Sequence, residues 1–446
     1  MTGEQRINDP SYDMEDRPHY GWRHDTPTDA QVSFLGGGKI LEMPVIVKHY
    51  YADLLTWVTG DYIKEDGWQV LALVGQRNNP EPRYRKINIG PGKFEDIIVN
   101  GAMFLERGAT RLVVQIWTYQ RPMLMVCCNE SGKNAAERFI SDIRRLMVER
   151  NPYHGGKLAY EGRIRFLELK PQDWEDVIMD HRMKEEIRFN TTGFLPHAEE
   201  LAKYGIPKKR GVLISGPPGT GKTLLTRVLV TNSPGVTAIM ADSGLLGRCG
   251  YIESLFELAS DLKPVLILLE DIDIVASDRF EISNPREEGL LELLEALDGI
   301  EACDGVITVG TTNCTSKLDK AIRQRPQRFD LIVHMELPEL AERRSLLRKM
   351  SNSIPVEELV LDYIAGETSG FSPAQLQEVL FSMVIRRQNR MGAVELEKPM
   401  QFTNQEVDWA IHLISNLKKS GLGFRPTDAT AGHERPASLL NVKEAI

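Results

Sequence analysis

Five short apolar runs mark the middle of the chain, at residues 211–215, 237–241, 265–269, 306–310 and 332–336. Each has the length of a strand, and helical stretches lie between them. Strands that alternate with helices predict a parallel sheet with helices on both faces. Such a sheet holds ligands beyond the C-terminal ends of its strands. Residues 156–338 are therefore expected to form one α/β domain.

The pattern differs on either side. Residues 50–62 read as an amphipathic helix, and 68–74, 84–89, 111–119 and 123–128 as strands. Residues 131–150 read as a second helix, with Phe139, Ile143 and Met147 on one face, and Asn151-Pro152 ends it. Residues 46–155 thus predict a compact α+β N-terminal domain. Residues 339–420 read as helices only, a small helical lid. Residues 1–45 are rich in Asp, Pro, Arg, Gly and His without a sustained period, which predicts a disordered arm. Residues 421–446 read as a flexible tail.

Composition narrows the class. An apolar fraction of 42% over 446 residues is ample for several cores. The net charge of −9 gives no electrostatic basis for gripping a phosphate backbone, so nucleic acid is not an expected partner. The five cysteines form no C-x-x-C pair and are odd in number, which argues against a disulfide framework or a zinc site. A reducing, cytoplasmic setting is expected. Cys127 and Cys128 sit in an apolar strand and read as core. No apolar run reaches the roughly 18 residues of a membrane helix, and the N-terminus has no signal-peptide core. No membrane partner is expected.

The strongest chemical signal follows the run 211–215. Gly216-Pro217-Pro218-Gly219-Thr220-Gly221-Lys222-Thr223 fits G-x-x-x-x-G-K-[ST], between a strand and a helix. Glycines let the backbone wrap phosphates with its N–H groups inward, and the helix N-terminus adds a positive dipole end. Lys222 supplies a charge for the β and γ phosphates of ATP, and the Thr223 hydroxyl is a ligand for Mg2+. The run 265–269 ends in Glu270-Asp271-Ile272-Asp273. One carboxylate there is expected to hold the magnesium shell and another to orient the attacking water. If the strand sets the register, Glu270 takes the magnesium side and Asp271 the water. The competing register gives magnesium to Asp271 and water to Asp273.

The run from Gly205-Ile206-Pro207 through Gly211-Val212-Leu213 into the loop resembles the AAA clade of the AAA+ ATPases. The resemblance covers about residues 170–400. It implies a P-loop AAA+ parallel-sheet core with a C-terminal helical lid, preceded here by the α+β N-terminal domain. It also implies a ring homo-oligomer, usually a hexamer, that spends ATP to remodel proteins in the manner of a chaperone. By resemblance, Asn313 is the polar residue called sensor 1, poised on water or γ-phosphate. Arg325 and Arg328, in Arg325-Pro326-Gln327-Arg328-Phe329-Asp330, are arginine fingers for a neighbouring subunit's ATP. Val177 and Ile178 contact adenine through their backbone. Ser372-Pro373-Ala374 starts a lid helix over the nucleotide, with Ser372 as cap, Pro373 at the first helical position and Ala374 at the nucleotide.

Some residues depart from the clade. Gln327 replaces a glycine, and Met350 stands where the lid often has a histidine beside adenine. The clade usually reads Asp-Glu after the carboxylate strand, whereas this chain reads Glu270-Asp271. That order resembles the subgroup of the mitochondrial Rieske-protein translocase, whose membrane helix is not seen here. No H-E-x-x-H occurs in these 446 residues, so the zinc protease fused to some relatives is not expected. Threading rings grip substrate with a pore loop, and residues 243–253 are the equivalent stretch. Tyr251 and the pair Leu245-Leu246 are its candidates. Three readings stay open: a protein-remodelling ATPase whose N-terminal domain recruits a protein substrate or adaptor, an ATP-controlled assembly switch without threading, and a nucleic-acid-directed ATPase.

Overall fold

The computed structural model describes residues 29–75, 81–118, 121–246, 248, 250–272, 292–293, 295–297, 304–313, 329–352, 354, 356–391 and 400–419. They fall into two compact units that divide between Glu336 and Leu337.

The first unit opens with α1 (Asp29–Phe34) and β1 (Ile40–Ile46). A 3₁₀ turn, His49–Tyr51, leads into α2 (Ala52–Glu65). Then come β2 (Gln69–Val74), β3 (Arg83–Gly90), β4 (Lys93–Arg107), β5 (Thr110–Trp117), β6 (Met123–Asn129) and α3 (Lys133–Glu149). The strands form an antiparallel sheet ordered β1-β6-β5-β4-β2, with β3 also on β4. Leu54, Leu55 and Val58 of α2 and Phe139, Ile143 and Met147 of α3 recur at three- and four-residue spacing and pack into one cluster. The Asn129 side chain accepts from the Gly132 amide at 2.9 Å and so caps the turn that leads into α3.

Two sequence expectations need correction here. The arm assigned to residues 1–45 contains α1 and β1. Glu42 and Pro44 interrupt the apolar run of β1, which hides it from a period test. Its pairing with β6, from Ile40↔Asn129 to Ile46↔Met123, makes it a strand, and an edge strand tolerates the proline. The fifteen-residue β4 had no assignment at all. Its Lys-Phe-Glu-Asp start and Asn100-Gly101 step break the alternation, while β3, β2 and β5 supply the ladder.

A second sheet follows. Its elements are β7 (Lys157–Tyr160), β8 (Ile164–Phe166), α4 (His181–Asn190), α5 (Ala198–Ala202), β9 (Arg210–Ser215), α6 (Lys222–Thr231), β10 (Thr237–Ala241), α7 (Tyr251–Asp261), β11 (Val265–Leu269), β12 (Val306–Thr312) and β13 (Leu331–His334). The order is β13-β9-β12-β11-β10-β7-β8, and every pair is parallel except β7 with β8. All five strands expected from the apolar runs form. Side chains alternate between faces. Val265, Ile267 and Leu269 join the cluster containing α7, whereas Leu266 and Leu268 join the one containing Leu225 and Leu229 of α6.

The residues expected to form the N-terminal domain share a continuous core with this sheet. One apolar cluster runs from Leu54 and Tyr51 through Tyr153, Leu158 and Tyr160 to Tyr251, Leu255 and Ile267. Polar clamps cross the same seam. Lys48 Nζ meets Glu257 Oε1 at 2.5 Å, and the Tyr50 hydroxyl donates to Asp261 Oδ2 at 3.1 Å. His49 Nε2 lies 3.1 Å from the Tyr160 hydroxyl. Burial, and then Asp261, push the Tyr50 phenol well above its ordinary range, so it stays a donor.

His49 makes this seam sensitive to acid. Burial holds its pKa below the ordinary 6.5; Glu257 opposes the shift and Lys48 adds to it. The unfolded chain therefore binds the proton first, and stability is lost as pH falls below 6.5. The melting temperature is expected to drop between pH 7.5 and pH 5.5, with a smaller drop in His49→Asn. Equal drops in both proteins would remove His49 from the account.

The second unit is helical: α8 (Leu340–Ser351), α9 (Glu358–Glu367), α10 (Pro373–Met391) and α11 (Asn404–Lys419). Leu347, Ile364, Leu376, Leu380 and Val407 fill its core. The helix starts are written in the sequence. Ser372 N donates to Gln375 Oε1 at 2.9 Å and Gln375 N to Ser372 Oγ at 3.4 Å. Thr403 and Glu406 exchange the same two bonds, as do Glu339 and Glu342. Buried Arg343 donates to the carbonyls of Pro338 and Ala365. No helix among the described residues is long and apolar enough to cross a membrane.

Candidate active site

The ends of three neighbouring strands, β9, β12 and β11, carry the expected site residues. The loop 216–223 leaves β9 and enters α6. Gly216 has φ +151°, Gly219 +78° and Gly221 +102°, conformations that side-chain-bearing residues rarely adopt. Lys222 is buried, and its Nζ donates to the carbonyls of Gly216 at 2.8 Å and Pro217 at 2.9 Å. The Thr220 hydroxyl donates to the Pro217 carbonyl at 2.8 Å. The lysine thus stands inside the ring of backbone that the motif predicts.

The two carboxylates after β11 point to different partners. Glu270 Oε1 accepts from the Thr226 hydroxyl at 2.7 Å, which holds it against α6. Thr226 lies one turn beyond Thr223 and also donates to the Thr223 carbonyl at 2.9 Å. Asp271 turns the other way. Its Oδ1 accepts from Asn313 Nδ2 at 2.9 Å, and its backbone N–H donates to Thr311 Oγ1 at 3.0 Å. Asp271 has φ +52°, the left-handed region that costs a non-glycine residue about 1 kcal/mol or more. Strain of this kind gathers at functional sites.

Residues 212–337 match the family model described as "ATPase family associated with various cellular activities (AAA)". That stretch of the chain is thus similar to an AAA ATPase domain. Among curated relatives, it is 30% identical over 266 residues to the ATP-dependent zinc metalloprotease FtsH 2 of Thermoanaerobacter sp. (strain X514), covering 56% of this chain and 50% of that protein. It is 33% identical over 247 residues to the proteasome-activating nucleotidase of Methanoregula boonei, covering 53% of each. It is 32% identical over 246 residues to Protein SAV of Sulfolobus acidocaldarius, covering 53% of this chain and 30% of that protein. The chain spans about half the length of the first two. A solved FIGL-1 AAA domain with ADP covers 57% of this chain and 91% of that one at 20% identity, with a TM-score of 0.45.

In AAA+ terms the other expected residues distribute as follows. Val177 is buried in the same cluster as Leu225 of α6, and its N–H closes a turn onto the Trp174 carbonyl at 3.2 Å. Ile178 follows it, partly exposed. Ala374 lies in the first turn of α10, in the second unit. Arg325, Arg328 and Asp273 lie outside the described residues. Their neighbours are described: Phe329 is buried, and the Asp330 carboxylate holds the start of β9 by accepting from Gly211 N at 2.9 Å and pairing with Arg210 at 3.2 Å.

The pore-loop expectation needs correction. Tyr251 is buried at the start of α7 and stacks on Tyr160 with ring centroids 5.3 Å apart. Its hydroxyl donates to the Tyr160 carbonyl at 2.7 Å and accepts from Asp242 N at 3.0 Å. Leu246 is also fully buried, and Leu245 packs partly against the same core. Tyr251 and Leu246 act as core here, packed in one buried cluster with Leu255 and Ile267. Cys127 and Cys128 are buried as expected, and burial raises the Cys127 thiol to about 12.

Two contributors were absent from the sequence reading. Thr226 orients Glu270, and a hydroxyl three residues after Thr223 on one helix face was its signal. Met335 shapes the loop from across the sheet: its N–H donates to the Ser215 carbonyl at 2.7 Å, and its backbone packs against Gly216. Nothing local in the sequence announces that contact.

Proposed function

We propose that this chain couples ATP hydrolysis to the remodelling of protein substrates, working as a ring of identical subunits. The observation that carries the catalytic part is the split of the two carboxylates. Glu270 is tied to α6 beside Thr223, and Asp271 is tied to Asn313. Thr223 and Glu270 offer hard oxygen donors on the magnesium side, a set that suits Mg2+ completed by phosphate oxygens and water. The bound Mg·ATP would supply the γ-phosphoryl group and neutralise its charge. Asp271 would accept a proton from the attacking water, and Asn313 would hold that carboxylate in place without competing for the metal. This favours the register with Glu270 on magnesium.

Two relatives support the remodelling part. One is named a protease that depends on ATP, the other a nucleotidase that activates the proteasome. By resemblance to the clade, Arg325 and Arg328 would reach a neighbouring subunit's ATP and make hydrolysis a property of the ring, expected to be a hexamer. Arg325→Ala should then abolish turnover while ATP binding survives; unaffected turnover would sink shared sites.

One observation favours the second reading, an ATP-controlled assembly switch: Tyr251 and Leu246 are in the core and cannot grip a threaded chain. The two readings separate in one assay. The remodelling reading expects ATP-driven unfolding of a tagged folded protein. ATP-dependent assembly without any unfolding supports the switch instead.

A further inference from the structure

The turn after β11 is pinned to β12 at successive points. The ladder between the two strands ends at Leu269↔Gly310. β12 runs on to Thr312, where it pairs with β9. Beyond the last β11 pair a side chain takes over from the ladder: Thr311 Oγ1 accepts from Asp271 N at 3.0 Å. Thr311 is 2% exposed, so little water competes for that N–H. Alternation puts Thr311 and Asn313 on one side of their chain, and Asn313 Nδ2 donates to Asp271 Oδ1 at 2.9 Å. A hydroxyl thus holds the backbone of Asp271 and an amide holds its carboxylate.

Between these two anchors Asp271 stands at φ +52°. A side-chain-bearing residue keeps such a conformation only where its surroundings over-determine it. Ile272 contributes by folding back beside Gly310, into the buried cluster that contains Leu269. That packing sets the course of the chain. It does not set the plane of the peptide between Glu270 and Asp271, which can rotate while both ends stay in place. The bond to Thr311 sets that plane. On it depends the divergence of the two carboxylates, Glu270 to Thr226 and Asp271 to Asn313. Aspartate is one methylene shorter than glutamate, so its backbone decides where its oxygens reach.

We propose that Thr311 is a positioning residue for ATP hydrolysis: its hydroxyl fixes the left-handed backbone of Asp271 and so aims the carboxylate at the attacking water. The proposal rests on the assignment of the water to Asp271 above. Thr311 acts through Asp271 and needs no contact with the nucleotide.

The test compares full-length variants for maximal turnover, for the magnesium requirement and for binding of a fluorescent ATP analogue. Thr311→Val keeps the shape and removes the hydroxyl. It should lower maximal turnover about tenfold, the weight of one unmade bond to a buried N–H, with analogue binding unchanged. Thr311→Ser should stay within about threefold of the parent, because its hydroxyl still accepts. Thr311→Ala and Thr311→Ser form a second pair that differs by the hydroxyl alone, and it serves if valine disturbs folding. In an Asp271→Asn background, Thr311→Val should lower turnover no further, since the two residues act as one unit. A loss that multiplies the Asp271→Asn loss marks a structural role and overturns the proposal. So does loss of analogue binding in Thr311→Val. Parental turnover in Thr311→Val, or equal turnover in Thr311→Ala and Thr311→Ser, overturns the role of Thr311, while an impaired Asp271→Asn leaves the reading of Asp271 standing. Parental turnover in Asp271→Asn overturns that reading and the proposal with it. A higher magnesium requirement in Thr311→Val at full maximal turnover overturns the proposal too, and puts Asp271 on the metal.

Discussion

Asp271→Asn is expected to lower ATP turnover by about 10²–10⁴-fold, the usual worth of a positioned general base, with ATP affinity nearly unchanged. The replacement is nearly isosteric. Asparagine tolerates the left-handed backbone that Asp271 adopts at φ +52°, so the turn should persist. An amide can still meet Asn313 Nδ2, now 2.9 Å from Asp271 Oδ1. What disappears is the carboxylate's capacity to take a proton. Single-turnover hydrolysis and equilibrium binding of a fluorescent ATP analogue read the two effects separately. Glu270→Gln should instead raise the magnesium concentration needed for half-maximal turnover, because Glu270 sits on the Thr223 side through Thr226. Turnover within threefold of the parent in Asp271→Asn would refute this assignment. The reverse pattern between the two variants would support magnesium on Asp271 and water on Asp273.

Gly216→Ala is expected to abolish nucleotide binding and to destabilise the first unit by about 2–3 kcal/mol. Two separate costs add. The backbone at φ +151° is one that only glycine adopts readily. A Cβ there would also collide with the Met335 carbonyl oxygen, which is backbone and cannot swing aside. Met335 N is bonded to Ser215, so the end of β13 would have to leave β9 to make room. Differential scanning fluorimetry should show a melting point several degrees lower. ATP, which should raise the melting point of the parent, should have no such effect on the variant. A variant that melts like the parent and still binds ATP would show that the loop can rearrange, and would refute the argument.

The legibility of this chain varied from element to element for physical reasons. The strands β9, β10, β11 and β12 are buried on both faces, so each is a continuous apolar run visible without its neighbours. The phosphate loop was legible for a related reason: its glycines, lysine and threonine are all local requirements of one turn. The start of α10 at Ser372 was legible because a capping box spans only four residues. β1 and β4 were not legible. Their residues mix charge, glycine and proline with apolar positions, and their strand character comes from the ladders that flank them. The core that residues 46–155 share with the parallel sheet was not legible for the same reason. Tyr51, Tyr153, Tyr160 and Tyr251 are far apart in the chain, and only their packing shows one core.

The sequence by itself determined a nucleotide-binding α/β core: the loop 216–223, the strand that feeds it, and the acidic strand end that faces it. These depend on neighbours within a few residues, and short-range physics is written locally. The tertiary structure alone decided the rest. It separated Glu270 from Asp271 by giving them different partners, Thr226 and Asn313. It removed Tyr251 and Leu246 from any pore by burying them. It also paired β4, β5 and β6 on both sides, while β1 and β2 end the sheet among the described residues. Each of these depends on which residues meet across strands, and a linear pattern carries no record of such meetings.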